Sequence, residues 1–425
     1  MKKILDILKS ESGVDGYRIN ETATASYELF FVHEKLETVR ATDTVDTKVT
    51  VYADHDGCRG DSSFAVYKSM SDDVIRERIR SAVERAGLVF NEPYELVAPG
   101  ELDEKLETNF EDYDPKELGR MIADAVFTAD KAEGCTVNAL EVFIYRERKS
   151  VVNSRGVCKC ETVWRAMVEA IPTHTDGGGS VELYESMRFT VFDEEKIKSE
   201  IADKMREVHD RAAAAKPEVP MTIDVVLRPN EILDLMWELT DGLSYSSVYM
   251  KANVWNVGDE IQKECAGDRV TVTMKGAVPG GDRNSFFDEA GTTLRDVAVI
   301  EDGVVKSFFG ADRFGQYLGV ECPSGELGCI ALDGGTMKRE ELAGAKYLEC
   351  ASLSGLQVDV YSDYLGGEIR LAYLCDGDER RPVTGITFSA RLKDVLASLR
   401  MTDDKVTYGP YEGPSRLLLK NAEVL

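Results

Sequence analysis

The residues that could do chemistry are few and scattered. His33-Glu34 opens as a zinc-peptidase helix would, but Glu37 and Thr38 stand where a second imidazole is needed, so the pair makes no zinc site. Cys158-Lys159-Cys160 sets two thiols on one face of a strand. With no further ligand close by, they read as two small core hydrophobes. His174 and His209 stand alone, explained by a loop and by a helix surface. Asp288-Glu289 offers two carboxylates for acid/base work, but beside Gly291 and its acidic surroundings it reads first as a turn with solvated charges. No G-x-S-x-G, phosphate-cradling P-loop or G-x-G-x-x-G is present. A serine–histidine–carboxylate arrangement is not legible in the sequence.

One helix stands out among the elements that must position such groups. Val225-Val226-Leu227 is a short apolar strand; Pro229 stops it and Asn230 can cap the next element. Ile232, Leu233, Met236, Leu239 and Leu243 recur at helical spacing, so a helix to about Gly242 is expected. On its own terms it is an ordinary amphipathic helix, with Trp237 in the core and Glu238 in water. Before it, strands and helices mix. Residues 2–9 suit a short helix, and Tyr27–His33 and Thr38–Arg40 suit strands. Thr47–Ala53 and Ser62–Lys68 are joined by the turn Asp54-His55-Asp56-Gly57. Helices are expected from Ser71, from Asp114-Pro115 to about Lys131, and from Asp193 with Ile197, Ile201, Met205 and Val208 inward. Residues 91–113 lack periodicity and read as a surface connection. Ala139–Arg146 and Cys158–Ile171 are strands.

Ala212–Pro220, small residues and then two prolines, marks the best boundary. It divides the chain into a mixed α/β unit, 1–215, and a β-rich unit, 216–425. Strands are expected at Arg269–Lys275, Val297–Ile300, Val304–Phe309, Leu348–Ala351, Gln357–Tyr361, Ile369–Tyr373 and Val383–Phe388, with one short helix at Arg391–Leu399. The expected class is therefore α+β, with a predominantly β C-terminal domain forming a closed or two-layered sheet.

Length and composition bound the rest. A chain of 425 residues with 43% hydrophobic and 30% charged residues can build two or three domains with a sizeable core. Its net charge of −26 repels nucleic-acid phosphate, and no basic cluster offsets it, so no direct nucleic-acid partner is expected. Nine cysteines at irregular spacing, with no CxxC pair, fit reduced thiols in a cytoplasm. Met1-Lys2-Lys3 resembles a signal start, but Asp6 and Lys9 break the apolar run. No apolar run approaches the roughly 18 residues a membrane span needs.

Several stretches taken together resemble the TldD/PmbA family, the "modulator of DNA gyrase" metallopeptidases. Asn153-Ser154-Arg155-Gly156 is similar to the family's N-S-x-G turn. Phe287-Asp288-Glu289-Ala290-Gly291 and then Ile300-Glu301-Asp302-Gly303 are similar to its F-D-D-E-G and I-E-x-G pair. Pro382-Val383, Ile386-Thr387-Phe388 and Leu392-Lys393-Asp394 resemble its P-V, I-T and N-L-x-D segment, and Gly413-Pro414-Ser415 its late P-S. Order and spacing agree over most of the chain. Arg370–Arg381 lacks the usual glycine- and serine-rich run, and Ser389-Ala390-Arg391 replaces Ala-Gly-Asn.

The resemblance implies a zinc helix of the form His-Glu-x-x-x-His in the catalytic branch, where this chain has Trp237-Glu238-Leu239-Thr240-Asp241-Gly242. Glu238 remains and both histidines are lost, at Trp237 and Gly242. The late cysteine ligand is missing too, since the last cysteine is Cys375. That places the chain with the zinc-free PmbA (TldE) branch, with no cofactor and no metal expected. Such a chain would be inactive alone. The family further implies a two-domain architecture and a dimer, either homodimeric or with a zinc-bearing TldD-like subunit. It also implies action on peptides or unfolded segments, a link to gyrase modulation, and no membrane association. A stand-alone homodimeric peptide-binding protein is the alternative.

Overall fold

The computed structural model describes residues 2–425. Its N-terminal half is built on one eight-stranded sheet. The strand order is Cys58–Val66, Lys35–His55, Gly16–Val32, Cys135–Asn153, Val157–Asp176 and Gly100–Lys105, with Gly179–Glu182 and Glu185–Phe189 also on Val157–Asp176. Pairing is antiparallel except at Gly100–Lys105, which runs parallel to Val157–Asp176. That strand and the short turn Phe110–Asp112 lie in the stretch expected to be featureless. The central strands are longer than the sequence suggests. Gly16–Val32 has 17 residues and Lys35–His55 has 21, where only fragments of each were expected. Their extra length is rich in Thr, Glu and Asp and has a solvated face, so it lacks the apolar alternation that marks a half-buried strand.

Helices cover the sheet. Pro115–Thr128 and Glu194–Ala213 bury Leu118, Ile122, Val126, Ile197, Ile201, Met205 and Val208 against Leu29, Leu140, Val142, Ile144 and Val168. Each starts where a carboxylate can accept an orphan N–H: Asp114 from Lys116 and Asp193 from Lys196. At the other end Lys2–Ser10 and Asp72–Ala86 pack Ile7, Leu8, Ile75 and Ile79 on Ile19, Val49 and Val51. Gly60 permits this, because a Cβ there would meet the Ala86 carbonyl oxygen at 1.8 Å.

Of the closed or two-layered sheet expected for the C-terminal half, the structure contains the closed form, beside a second sheet. Lys346–Asp359, Met221–Leu227, Leu417–Val424, Ile386–Arg391 and Tyr364–Asp376 pair in that order, and the last pairs back onto the first, closing a five-stranded barrel. A six-stranded sheet contains Thr271–Lys275, Val297–Glu301 and Cys329–Asp333. The expected Gln357–Tyr361 strand is the end of Lys346–Asp359, and Val383–Phe388 is split by a turn into Glu379–Val383 and Ile386–Arg391. Helix Pro229–Asp241 lies between barrel and sheet. Its Ile232, Leu235, Met236 and Leu239 share one core with Val225, Leu348 and Ile369 of the barrel and Val270, Val272 and Ile330.

The connection after Ala213 joins the two halves without separating their cores. Ala351, Leu371, Tyr373 and Cys375 of the barrel strands belong to the same buried cluster as the Glu194–Ala213 helix. Among the described residues no helix is long and apolar enough to cross a membrane.

Candidate functional site

The helix expected to reach about Gly242 runs Pro229–Asp241. Its N-cap is Arg228, with Pro229 in the first turn; Asn230, expected to cap, is already inside the helix. Pro229 lacks an N–H and has a preset φ, which suits it to that place and moves the start forward. Arg228 is instead anchored by charge. Its guanidinium pairs with Glu207 and donates from Nε to Glu349 Oε1 at 3.1 Å, which Arg416 Nε also meets at 3.2 Å. Lys204 joins Glu207 to Glu185 at 2.8 and 3.0 Å.

Further along, Trp237 is half-buried, and Glu238 and Asp241 are exposed. The Arg283 guanidinium lies 5.3 Å over the Trp237 ring. The helix ends at Asp241, and Gly242 comes next with φ −63° and ψ −13°, still right-handed. A side chain there would meet nothing within 4 Å. This donor set does not fit zinc. Indole N–H donates only, glycine offers no atom, and a guanidinium charge sits over the ring. Among the described residues no group of three or more His, Cys, Asp or Glu is arranged to hold a metal ion.

A cavity of about 510 Å³ opens beside the start of this helix. Its wall includes Asn230, Asp282, Arg283, Glu200 and Tyr408, with Met187 and Phe189 apolar. Asp282 Oδ1 is buried without a hydrogen-bond partner. Burial pushes the Glu200 carboxyl up to about 7, with Lys196 opposing and Glu185 adding to the rise. Burial likewise raises the Tyr408 phenol.

The other motif positions gather elsewhere, at the seam between the halves. Asn153 is 3% exposed. Its Oδ1 accepts from Arg155 N at 2.9 Å and Val157 N at 3.0 Å, and its Nδ2 donates to Val97 O at 2.9 Å. Ser154 Oγ accepts from Tyr17 N at 3.2 Å, and Gly156 has φ +100°. Asp288 is buried and is no solvated turn residue. Its Oδ1 accepts from Ala290 N at 3.0 Å and Thr292 N at 2.9 Å, and its Oδ2 from Glu326 N at 3.2 Å. Glu289 is exposed, meets Lys48 Nζ at 2.6 Å and Arg18 at 3.5 Å, and these cations hold its carboxyl down, the Lys48 hydrogen bond most. Asn153, Asp288 and Glu289 line one cavity of about 260 Å³. The Trp237–Gly242 group does not reach it.

Sequence reasoning misplaced three features. In Cys158-Lys159-Cys160 the thiols are the more exposed side: Cys158 is exposed, Cys160 half-buried, and Lys159 only 6% exposed. Lys159 Nζ donates to Gly291 O at 2.7 Å and Thr293 Oγ1 at 2.6 Å, tying the sheet to the C-terminal half. The signal was parity, because Lys159 and Glu161 share a strand face with Val157 and Val163, all buried. His174 and His209, isolated in sequence, stack edge to face at 5.4 Å. Arg283 carried no sequence signal at all.

Residues 220–425 match the family described as PmbA/TldA metallopeptidase, C-terminal domain. No curated protein sequence matches the chain. Three solved structures share its fold over nearly their whole length. TldE from Thermococcus kodakarensis is 15% identical with TM-score 0.80, covering 99% of each chain. A candidate modulator of a DNA gyrase from Thermotoga maritima is 18% identical with TM-score 0.79, covering 100% of each. One from Bacteroides thetaiotaomicron is 15% identical with TM-score 0.81, covering 100% of this chain and 97% of that one.

Proposed function

We propose that this chain, which belongs to the TldD/PmbA family through its C-terminal domain, is a zinc-free, PmbA/TldE-like subunit of a metallopeptidase system of that type. It holds or shapes peptides or unfolded segments for a zinc-bearing partner and does not hydrolyse them alone. The observation that carries this is the Trp237–Arg283 stack on the helix where the family's metal ligands would stand. Without a bound metal, Glu238 would face water of pKa about 15.7 in place of about 7, a deficit of roughly 12 kcal/mol. Exposure of Glu238 to solvent leaves nothing to offset that deficit. The cavity of about 510 Å³ beside the helix, where Met187, Phe189 and Ile197 alternate with charged side chains of both signs, has the size and chemistry of a site for a short peptide stretch.

The nine free cysteines suit a reducing cytoplasm. Gyrase modulation is the description given to two fold relatives. A net charge of −26 points any such role in this chain to a protein contact and away from DNA. A second reading, a stand-alone homodimeric peptide-binding protein, draws support from the open sheet edge at Thr38–Asp46.

The test is hydrolysis of an unfolded polypeptide by the purified chain, alone and mixed with a zinc-bearing TldD-type subunit. Activity only in the mixture is expected. Hydrolysis by the chain alone, lost in Glu238→Gln, would overturn the zinc-free reading.

A further inference from the structure

The cavity of about 510 Å³ beside the Pro229–Asp241 helix holds one carboxylate that nothing in the described chain answers. Asp282 lines it and is half-buried. Its Oδ1 is closed off from solvent and has no hydrogen-bond partner. The other two carboxylates of the wall are engaged. Asp193 Oδ1 accepts from Lys196 N at 3.0 Å, and Glu200 lies 3.9 Å from Lys196 Nζ. The cations of the wall stand elsewhere. Lys196 is beside Glu200, Arg283 lies over the Trp237 ring, and Arg188 is exposed. A carboxylate taken partly out of water costs free energy unless a donor or a cation meets it.

Asp282 is nonetheless held firmly in place. Its carbonyl accepts from Arg165 Nε of the N-terminal sheet at 2.6 Å. The loop that carries it is closed by Asn284, whose Oδ1 accepts from Val278 N at 2.9 Å and whose Nδ2 donates to Val278 O at 2.8 Å. Gly281 lets the loop close this tightly, since a Cβ there would stand 2.6 Å from Val278 Cγ2 and 2.7 Å from Asn284 Oδ1. Gly409 leaves room beside the carboxylate, because its missing Cβ would come within 3.4 Å of Asp282 Oδ1. The surroundings thus fix a residue whose own Oδ1 is unpaired, which is how a preorganised binding group is built.

We propose that Asp282 selects what the cavity holds: a peptide segment presenting a lysine, with its ammonium on the Asp282 carboxylate and its methylene stem along Met187, Phe189 and Ile197. A lysine stem buries against apolar surface while its charged head reaches a polar partner. Its ammonium carries three donors and no acceptor, which suits a carboxylate lacking a donor. An acidic residue would bring like charge to Asp282, and an apolar one would bury the carboxylate further with nothing to pair it. A peptide's amino terminus has the same ammonium chemistry but no stem to cover the apolar wall. The inference rests on the proposed peptide-holding role and names the residue class which that role prefers.

The test is calorimetric titration of the full chain with a blocked alanine pentapeptide carrying lysine, norleucine or glutamate at its centre. Norleucine keeps the stem and lacks the ammonium. The lysine peptide should bind about tenfold more tightly than the norleucine peptide, and the glutamate peptide should bind weakest. Asp282→Asn keeps the shape and removes the charge, so the lysine and norleucine peptides should then bind within about twofold of each other. Asp282→Lys should reverse the order and favour the glutamate peptide. Both variants should keep the parent melting temperature. An unblocked norleucine peptide that binds as tightly as the blocked lysine peptide would place the ammonium at a chain end and overturn the lysine assignment. A parent chain without preference, or a preference that survives Asp282→Asn, would overturn the inference and leave the peptide-holding role standing. No binding of any of these peptides at millimolar concentration would remove both.

Discussion

Arg283 and Trp237 form a cation–aromatic pair, the guanidinium 5.3 Å from the ring centroid. The pair occupies the helix face from which a metal ligand would project, and its fixed positive charge opposes a dication there. A guanidinium stays charged at any working pH, so acidity cannot relieve the repulsion.

Restoring the histidines should therefore fail. Positions 237 and 242 are five apart, about 500° around a helix. Gly242 keeps right-handed backbone angles beyond the last helical residue, so that divergence of about 140° persists. Trp237→His/Gly242→His is expected to bind zinc weakly and hydrolyse nothing, and adding Arg283→Ala should strengthen zinc binding several-fold. Titration calorimetry and elemental analysis check both. One zinc per parent chain surviving mild chelation would contradict the account.

Lys159 is the buried tie between the halves. Lys159→Ala removes a charged donor from Gly291 O and Thr293 Oγ1 and leaves the carbonyl without its partner. A loss of about 2–3 kcal/mol is expected in urea unfolding. Little or no loss would mean that water replaces the ammonium.

Gly291 accepts that bond from a backbone with φ +92°, and a Cβ there would stand 2.9 Å from Val157 Cγ1. Gly291→Ala should cost about 2 kcal/mol from the left-handed backbone alone, and more from the contact. Thermal unfolding reads the loss, and Gly280→Ala, also at positive φ but with open space around it, should cost less.

Glu200 makes stability depend on pH. Its carboxyl is raised by burial to about 7 from an ordinary 4.5. Between those values the folded chain holds a proton that the unfolded chain has released, so the contribution favours folding at low pH and is lost as pH rises toward 7. The urea midpoint of the parent chain relative to Glu200→Gln should fall from pH 5 to pH 7 and level off above. A flat difference would show the carboxyl to be ordinary.

The sequence by itself determined the class of the molecule. Periodic apolar residues placed all three long N-terminal helices, because Ile197, Ile201, Met205 and Val208 can face one core only as a helix. It also fixed what positions 237 and 242 can offer a metal, since donor chemistry belongs to residue type: no conformation gives Gly242 a ligand atom. Only the tertiary structure decided the neighbours. Arg283 meets Trp237 across 46 positions of chain, and Lys159 meets Gly291 across 132. Neither contact leaves a local period. The same holds for the open edge. Thr38–Asp46 carries Asp43 on the face of Val39 and Val45, so it lacks the apolar alternation of a half-buried strand. That nothing covers it is decided by where Cys58–Val66 ends its pairing, because a free N–H is defined by the strand that is absent beside it.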